Sequence, residues 1–533
     1  MKIAEAATSK TDKKNVSQQP FFQNILLPLL CILFVAALII VCNGGIRIGF
    51  SNHSGLLPVV RRLLDATYLP GDFNIQLRLY HHRTFAFLIA GFSKLLGENH
   101  ALLALSILGN LLLSASLYSL SQVLKLSKLA FLAIGVIVAM NVGFAGHGLE
   151  LNTFIGNREI QPPTFAHAFV LFGVAALLEE RLRFAAFFAG LSLFFHLQIG
   201  FALALMLLPF LVWRLKSSGM KEAFICGSLF LLPVAFTLFD ISQMINRGLL
   251  RLPFTRADID FRQPHHFEVG SWEAALWIAG YIILQAAIWL WFKRVGSDQK
   301  RGAFVLLVMS LLITALSLLH YADYYIIQSN RIAKFQMLRM SCFITVFGVI
   351  AVVLLLNQMP KSKRAAITIN LTMIALATVL YLYPATRQGA AYSFNVAYYA
   401  EQKTAWVSVC LWIKEHTPMN AVFIMPPGEE GFTYLASRSN IGDFKTNPDG
   451  PQYLAEWYER LRDLAGGTLP PGKGFDNFTL LNQAYAGLSN EQLIELGKKY
   501  RAAFALLPKK SPAQLEIVYE NNAYKVVRLS PEE

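Results

Sequence analysis

Residues 101–123 read ALLALSILGNLLLSASLYSLSQV, a stretch that contains no charged side chain. As a helix, a run of this length is long enough to cross the hydrocarbon core of a bilayer, which is about 30 Å thick. Similar apolar runs lie at residues 25–41, 129–144, 274–292, 304–319 and 343–356. The sequence therefore predicts a polytopic membrane protein, built mainly as an all-α bundle.

The composition of the whole chain supports this fold class. Of its 533 residues, 55% are hydrophobic and 15% are charged, whereas soluble proteins have about 45–50% apolar and about 25% charged residues. The net charge is +14, and up to Pro384 the chain has 32 basic and 17 acidic residues. The basic excess thus belongs to the apolar part, where basic loops set orientation. No basic face with interleaved aromatic residues is visible, so nucleic-acid binding is not expected.

The short turns between the apolar runs are basic, as at Lys125 and Lys128. Because basic turns remain in the cytoplasm, a cytoplasmic N-terminus and about eleven spans place all of these turns on one side. Residues 1–23 are then a cytoplasmic tail, and residues 24–384 form the bundle with an outward loop at 43–100.

Within this loop, residues 83–96 are apolar, but Lys94 interrupts them. We expect a re-entrant or juxtamembrane helix here, because a full span would place the later basic turns outside.

The chain changes character after Pro384, where basic and acidic residues balance at 15 and 16. Helix-like segments at 403–416, 453–464 and 490–500 alternate with strand-like segments at 421–425, 504–507 and 525–529. This alternation predicts a small α/β domain over residues 385–533. An odd number of spans places that domain on the extracytoplasmic side.

Isolated acidic residues in the outward loops are the first candidates for a functional site. Asp72 lies in the first loop, and Glu150 and Glu159 lie in the second. A carboxylate can take a proton from a hydroxyl group or bind a metal. Two of them also have a structural interpretation. Asp72 follows a Pro-Gly pair and would serve as a turn residue or helix cap. Glu159 would form a local ion pair with Arg158.

Basic residues on the outward side form the second set of candidates. Residues 320–339 include Arg331, Lys334 and Arg339, and guanidinium groups match the geometry of phosphate. Interfacial basic residues also bind anionic lipids without specificity. His196 ends an apolar run and faces either an outer vestibule, where an ionisable residue indicates function, or a hydrogen-bonded packing position.

This order of features resembles the GT-C superfamily, membrane glycosyltransferases that use sugars linked to polyprenyl phosphate. The resemblance is carried by Tyr68-Leu-Pro-Gly-Asp72-Phe73, by the aromatic-rich run at 82–97 and by the span at 101–124. The C-terminal segments at 412–418 and 421–427 are similar to the tails of bacterial members. The first loop has no Asp-Asp or Asp-Glu pair and the tail has no Trp-Trp-Asp motif, so a divalent metal is possible but not required.

The resemblance implies a multi-pass protein of the bacterial inner membrane that transfers a sugar from a polyprenyl-phosphate donor to a glycan, lipid or protein acceptor. It assigns Asp72 as the general base, helped by Glu159. The residues expected to contact the substrates are Glu150, Arg158, His196, Arg331, Lys334 and Arg339. No Gly-rich phosphate loop of the Walker type is present, so no nucleotide cofactor is expected. A lipid or glycan transporter or flippase, and a non-catalytic envelope assembly protein, are the alternatives.

Overall fold

A computed structural model describes residues 25–80, 82–140, 159–246, 255–269, 273–359, 362–382, 393–446, 448 and 451–529. The helices of the apolar part are α1 (Leu27–Cys42), α2 (Asn52–Leu64), α3 (Phe73–Leu77), α4 (Arg83–Leu96), α5 (Glu98–Val123), α6 (Lys128–Ala139), α7 (Pro162–Leu178), α8 (Leu182–Phe195), α9 (Leu197–Asn246), α10 (Arg256–Arg262), α11 (Glu273–Arg294), α12 (Ser297–Tyr321), α13 (Cys342–Gln358) and α14 (Lys363–Leu382). The C-terminal helices are α15 (Ala405–His416), α16 (Phe432–Ala436), α17 (Pro451–Leu464), α18 (Asp476–Ala486) and α19 (Asn490–Tyr500).

Five helical segments within the described residues are long and apolar enough to cross a membrane. They are Glu98–Val123, Gly219–Asn246, Ser297–Ile327, Met337–Gln358 and Lys363–Leu382. Helices α1, α6, α7 and α8 are apolar but have only 16, 12, 17 and 14 residues, and a span needs about 20. The apolar helical bundle is thus confirmed and is compatible with a membrane protein, whereas the number of eleven spans is not shown.

Helix α9 joins two segments that the sequence predicts as separate spans, 200–212 and 223–239. The two halves meet in a kink at Gly219, whose φ of +81° breaks the helical conformation. A residue with a Cβ is strained at such an angle, so glycine is the suitable residue at this break. Gly190 of α8 packs directly against the backbone of Phe230 in α9, and the missing side chain lets the two helices approach closely.

The core of the bundle is a continuous hydrophobic cluster that includes residues from α1, α5 to α9 and α11 to α13. Trp291 and Phe347 are fully buried within it. Burial of such large side chains supplies packing contacts that hold the helices together.

The C-terminal region contains a five-stranded sheet among its helices, whereas the sequence predicts a small α/β domain from only three strand-like segments. Its strands are β3 (Val422–Ile424), β4 (Ser439–Asn440), β5 (Phe504–Pro508), β6 (Ile517–Glu520) and β7 (Tyr524–Arg528), in the order β4-β3-β5-β7-β6. Strand β3 is parallel to β4 and β5, whereas β7 is antiparallel to β5 and β6.

The C-terminal region packs tightly on the first loop of the apolar part. One hydrophobic cluster joins Leu57 and Phe85 of that loop to Trp406 and Phe423. A two-stranded parallel sheet pairs β1 (Ile46–Ile48) with β2 (Val396–Tyr398). This contact zone between residues 46–98 and the C-terminal region is called the seam below.

Arg61 crosses the seam. Its guanidinium donates to Glu98 Oε2 at 2.8 Å and to the carbonyl of Tyr434 at 2.8 Å.

Candidate functional site

A cavity of about 860 Å³ lies beside the seam, where the ends of several apolar helices meet the C-terminal region. Its walls come from the start of α2, the α3–α4 connection, the starts of α4 and α7, the α8–α9 junction and the second half of α9. Residues 262–267, residues 334–339 and three C-terminal residues complete it. This volume lies within the range of small-molecule sites.

Basic side chains outnumber acidic ones in the described lining of the cavity. Six lysines and arginines face two carboxylates, Glu159 and Asp240. The basic residues are Arg78, Arg83, Arg262, Lys334, Arg339 and Lys445. Such an excess of one charge in a concave, partly buried site concentrates the field and favours an anionic ligand.

Asp240 forms an ion pair with Arg83 at the edge of the cavity. The distance from Arg83 Nη1 to Asp240 Oδ1 is 2.8 Å. Arg83 begins α4, and its guanidinium also lies 5.0 Å from the ring centroid of Tyr80 and 5.3 Å from that of Phe87. The pair therefore bridges α4 and the second half of α9.

Glu159 lines the cavity just before α7, and its side chain is 14% exposed. The nearest charged group described is Arg47, whose Nε lies 4.0 Å from Glu159 Oε1. His53 fixes this segment, because its Nε2 is 2.7 Å from the carbonyl of Ile160. Burial lowers the pKa of His53 to about 4, so at neutral pH the ring is uncharged and donates to that carbonyl.

Arg339 is held between two histidines. Its guanidinium donates to His196 Nε2 at 3.4 Å and to His266 Nδ1 at 3.0 Å. Burial, together with the charge of Arg339, lowers the pKa of His266 well below its usual value. The ring of His266 therefore accepts from Arg339 as a neutral imidazole, and the two histidines together hold the guanidinium in the wall of the cavity.

Arg78 and Arg262 converge on a single oxygen atom. Each donates from Nη2 to the carbonyl of Lys445 at 3.0 Å. Arg262 is the last residue of α10, which a capping box between Thr255 and Asp258 fixes at its start. Burial lowers the pKa of Arg262 to about 10, and repulsion by Arg78 acts in the same direction. The two guanidinium groups are thus neighbours in a buried setting.

The loop that carries Lys334 is anchored by Asp323. The buried carboxylate of Asp323 accepts from the amides of Ile332 at 2.6 Å and Ala333 at 2.8 Å, and from the hydroxyl of Ser329. These bonds hold the backbone next to Lys334, a residue that lines the cavity.

Asp72 does not line the cavity. It caps the start of α3, accepting from the amide of Ile75 at 2.8 Å, and it also accepts from the amide of Asn440 at 3.3 Å. Burial raises the pKa of Asp72 to about 7. The contacts of Asp72 therefore agree with the helix-cap interpretation. They place Asp72 within the seam.

The other residues chosen from the sequence are placed as follows. Glu159, His196, Lys334 and Arg339 meet in the cavity. Arg331 is exposed and is not part of the lining. Glu150 and Arg158 lie outside the described residues.

No group of three or more His, Cys, Asp or Glu side chains suited to a metal ion occurs among the described residues.

Sequence reasoning missed Asp240, Arg83 and Lys445. Asp240 directly follows the apolar run 223–239, and an ionisable residue at the end of a span is a signal of function. Arg83 begins the apolar segment 83–96 in the same way. Lys445 has no such signal, because only the folding of the C-terminal region brings it to the cavity.

The fold and the site define a class: a helical protein, compatible with a membrane protein, whose apolar bundle and C-terminal α/β region enclose a basic cavity. A family model described as a domain of unknown function (DUF6798) matches residues 404–464. The match covers α15 to α17, with β3 and β4, and includes Lys445 and its ion-pair partner Glu430. No curated protein matches the chain.

Proposed function

We propose that this protein is a membrane glycosyltransferase of the GT-C type, which moves a sugar from a polyprenyl-phosphate-linked donor to a hydroxyl acceptor. The observation that carries the proposal is the cavity, where six basic side chains and two carboxylates face one space at the ends of apolar helices. About eleven membrane crossings, a cytoplasmic N-terminus and an extracytoplasmic cavity belong to the same proposal, because they place the basic turns inside.

Glu159 is the general base in this proposal. It takes the proton of the acceptor hydroxyl while the hydroxyl oxygen forms a bond to the anomeric carbon of the sugar. The bond from that carbon to the phosphate oxygen breaks, and its electron pair leaves with the lipid phosphate. Asp72 is not assigned this role, because its carboxylate is engaged by backbone amides within the seam.

The basic residues of the cavity stabilise the leaving group. Negative charge develops on the phosphate oxygen as the sugar departs, and fixed positive charges in a site with little water stabilise that charge most. Arg339 is already oriented by His196 and His266, and the loop of Lys334 is fixed by Asp323.

The lipid chain of the donor enters between α4 and the second half of α9. The side chains of Phe87 and Phe236 are 41% and 36% exposed there, and their ring centroids are 5.7 Å apart. The Arg83–Asp240 pair lies where the cavity meets this apolar surface. A single donor molecule would thus place its phosphate in the cavity and its isoprenoid chain on the apolar surface outside.

The test uses the full-length protein in liposomes that contain a panel of radiolabelled polyprenyl-phosphate sugars. The Glu159→Gln variant should transfer sugar at least 100-fold more slowly, since a positioned base contributes about 10² to 10⁴ in rate, and it should retain donor binding. Glu415→Gln, an exposed change on α15, is the matched control and should behave as the wild type.

Full transfer by the Glu159→Gln variant would refute its role as the base. Movement of the label across the bilayer without cleavage would instead support a flippase.

A further inference from the structure

Three basic residues from distant parts of the chain meet at one point of the cavity. Arg78 lies at the end of α3, Arg262 ends α10, and Lys445 follows β4. The shared carbonyl of Lys445 holds both guanidinium groups. Only the docking of the C-terminal region brings these residues together.

Arg262 has unused hydrogen-bonding capacity in this position. The residue is 8% exposed, and its Nε has no hydrogen-bond partner among the described residues. Its side chain lines the cavity. A buried donor of this kind is unfavourable unless a ligand supplies an acceptor.

The neighbouring carboxylates offset this charge only in part. Glu430 lies 3.4 Å from Lys445, and Asp443 accepts from the amide and hydroxyl of Thr446. Burial raises the pKa of Asp443, which weakens it as a counter-charge. Burial also lowers the pKa of Lys445, and the adjacent arginines act in the same direction. A bound anion would relieve this repulsion.

The group of Arg78, Arg262 and Lys445 adjoins the group of Lys334 and Arg339. His266 is hydrogen-bonded to Arg339, and the charges of Arg339, Arg262 and Lys445 all lower its pKa. The two groups are therefore close to the same ring. Both groups line the same cavity, so they present their donors to one space.

We propose that Arg78, Arg262 and Lys445 form a second anion subsite beside Lys334 and Arg339, and that the ligand of the cavity is a lipid linked through diphosphate, with one phosphate at each group. Planar guanidinium groups donate paired hydrogen bonds to phosphate oxygens, and two phosphates joined by one oxygen suit two adjacent basic groups. This inference rests on the proposed function for the lipid nature of the ligand, and it specifies how the lipid is linked.

Binding measurements on the full-length protein in nanodiscs test the subsite directly. The probes are polyprenyl diphosphate and polyprenyl monophosphate of equal chain length. The wild type should bind the diphosphate about tenfold more tightly or better, since a hydrogen bond to a charged group contributes about that factor. Arg262→Gln should lose this preference and keep its affinity for the monophosphate.

Two further variants keep the result interpretable. Arg462→Gln, an exposed change on α17, is the matched control and should retain the preference. Arg262→Lys keeps the charge with fewer donors and should retain part of the preference, and it replaces Arg262→Gln if the latter unfolds in a thermal denaturation assay.

Inorganic pyrophosphate distinguishes a lipid-linked ligand from a soluble one. It should displace the lipid diphosphate only at concentrations at least 100-fold higher, since it lacks the contacts of the chain. Equal potency would overturn the lipid assignment.

Equal affinity of the wild type for the two lipids, or an unchanged preference in Arg262→Gln, would overturn the diphosphate subsite. Sugar transfer from a monophosphate donor would then still support the proposed function. Conversely, a diphosphate preference without any sugar transfer would support the subsite and count against the proposed function alone.

Discussion

Asp72 and Glu159 look alike in the sequence, since each is an isolated carboxylate close to a proline, Pro70 or Pro162. Their surroundings differ because a distant segment covers one of them. The amide of Asn440 comes to lie against Asp72, whereas Glu159 remains in the wall of the cavity. A local pattern carries no information on this difference, because the covering residue is far away in the chain.

The protonation of Asp72 should make the stability of the protein depend on pH. Burial raises the pKa of Asp72 from an ordinary value of 3.8 to about 7. Asp72 therefore stays protonated in the folded protein over a pH range in which the same carboxyl group is ionised in the unfolded chain. The stability that the protonated form contributes is complete below about pH 4 and is lost as the pH rises toward 7, by about 1.4 kcal/mol for each pH unit.

The Asp72→Asn variant tests this dependence, since asparagine also caps helices but does not ionise. Its melting temperature relative to the wild type should rise from pH 4 to pH 7 and then level off. Thermal unfolding in detergent across this range is the measurement. A difference between the two proteins that stays constant with pH would show that Asp72 does not titrate in this window.

Among the elements, the connection between α12 and α13 carries the basic residues at 331–339. It is a chain of short helical turns, Ala322–Ile327, Ala333–Phe335 and Met337–Ser341. Asp323 joins the first turn to the second by accepting from two backbone amides. One carboxylate thus links two of the turns in this connection.

Replacing Asp323 with alanine should loosen this connection while leaving the helices intact. We expect cleavage by trypsin after Arg331 and Lys334 to become at least tenfold faster, because local opening exposes the backbone to the protease. Mass spectrometry of the fragments identifies the sites. Asp298→Ala, at the exposed start of α12, is the control. Equal cleavage of both variants would contradict the anchoring role of Asp323.

Helices were easier to predict than the site. The apolar run at 101–123 and the segment at 83–96 became α5 and α4 with almost the same ends. These ends are set by neighbouring residues, namely the extent of each apolar run and Gly97 between the two helices. The strands at 504–507 and 525–529 were also found. By contrast, the pairing of Asp240 with Arg83 depends on which helices are neighbours, and one sequence does not reveal that.

At the scale of the whole molecule, the division after residue 384 marks a change in composition and not a structural separation. Residues 46–98 bury their apolar side chains against Trp406, Phe423 and Phe432 of the C-terminal region. A second cluster joins Phe73 to Phe444 and other C-terminal residues. The first loop therefore depends on the C-terminal region for its core.

Truncation after residue 392 should unfold the first loop and spare the bundle. Without the C-terminal region, α2 and α3 lose the partners of their buried side chains, whereas the described core around Trp291 and Phe347 includes no residue of that region. Hydrogen exchange should show the amides of α2 losing protection by at least a factor of 100, with those of α13 unchanged. Retained protection in α2 would show that the loop folds on its own.

The pairing of β1 with β2 determines when, during synthesis of the chain, the first loop can fold. Ile46 emerges directly after the first apolar helix, yet its partner Val396 follows the last one. Strand β1 cannot form its backbone hydrogen bonds with β2 until every apolar helix has been made. The first loop and the cavity beside it are therefore completed only after the C-terminal region has been made, so a chain that stalls before β2 would hold a bundle without a site.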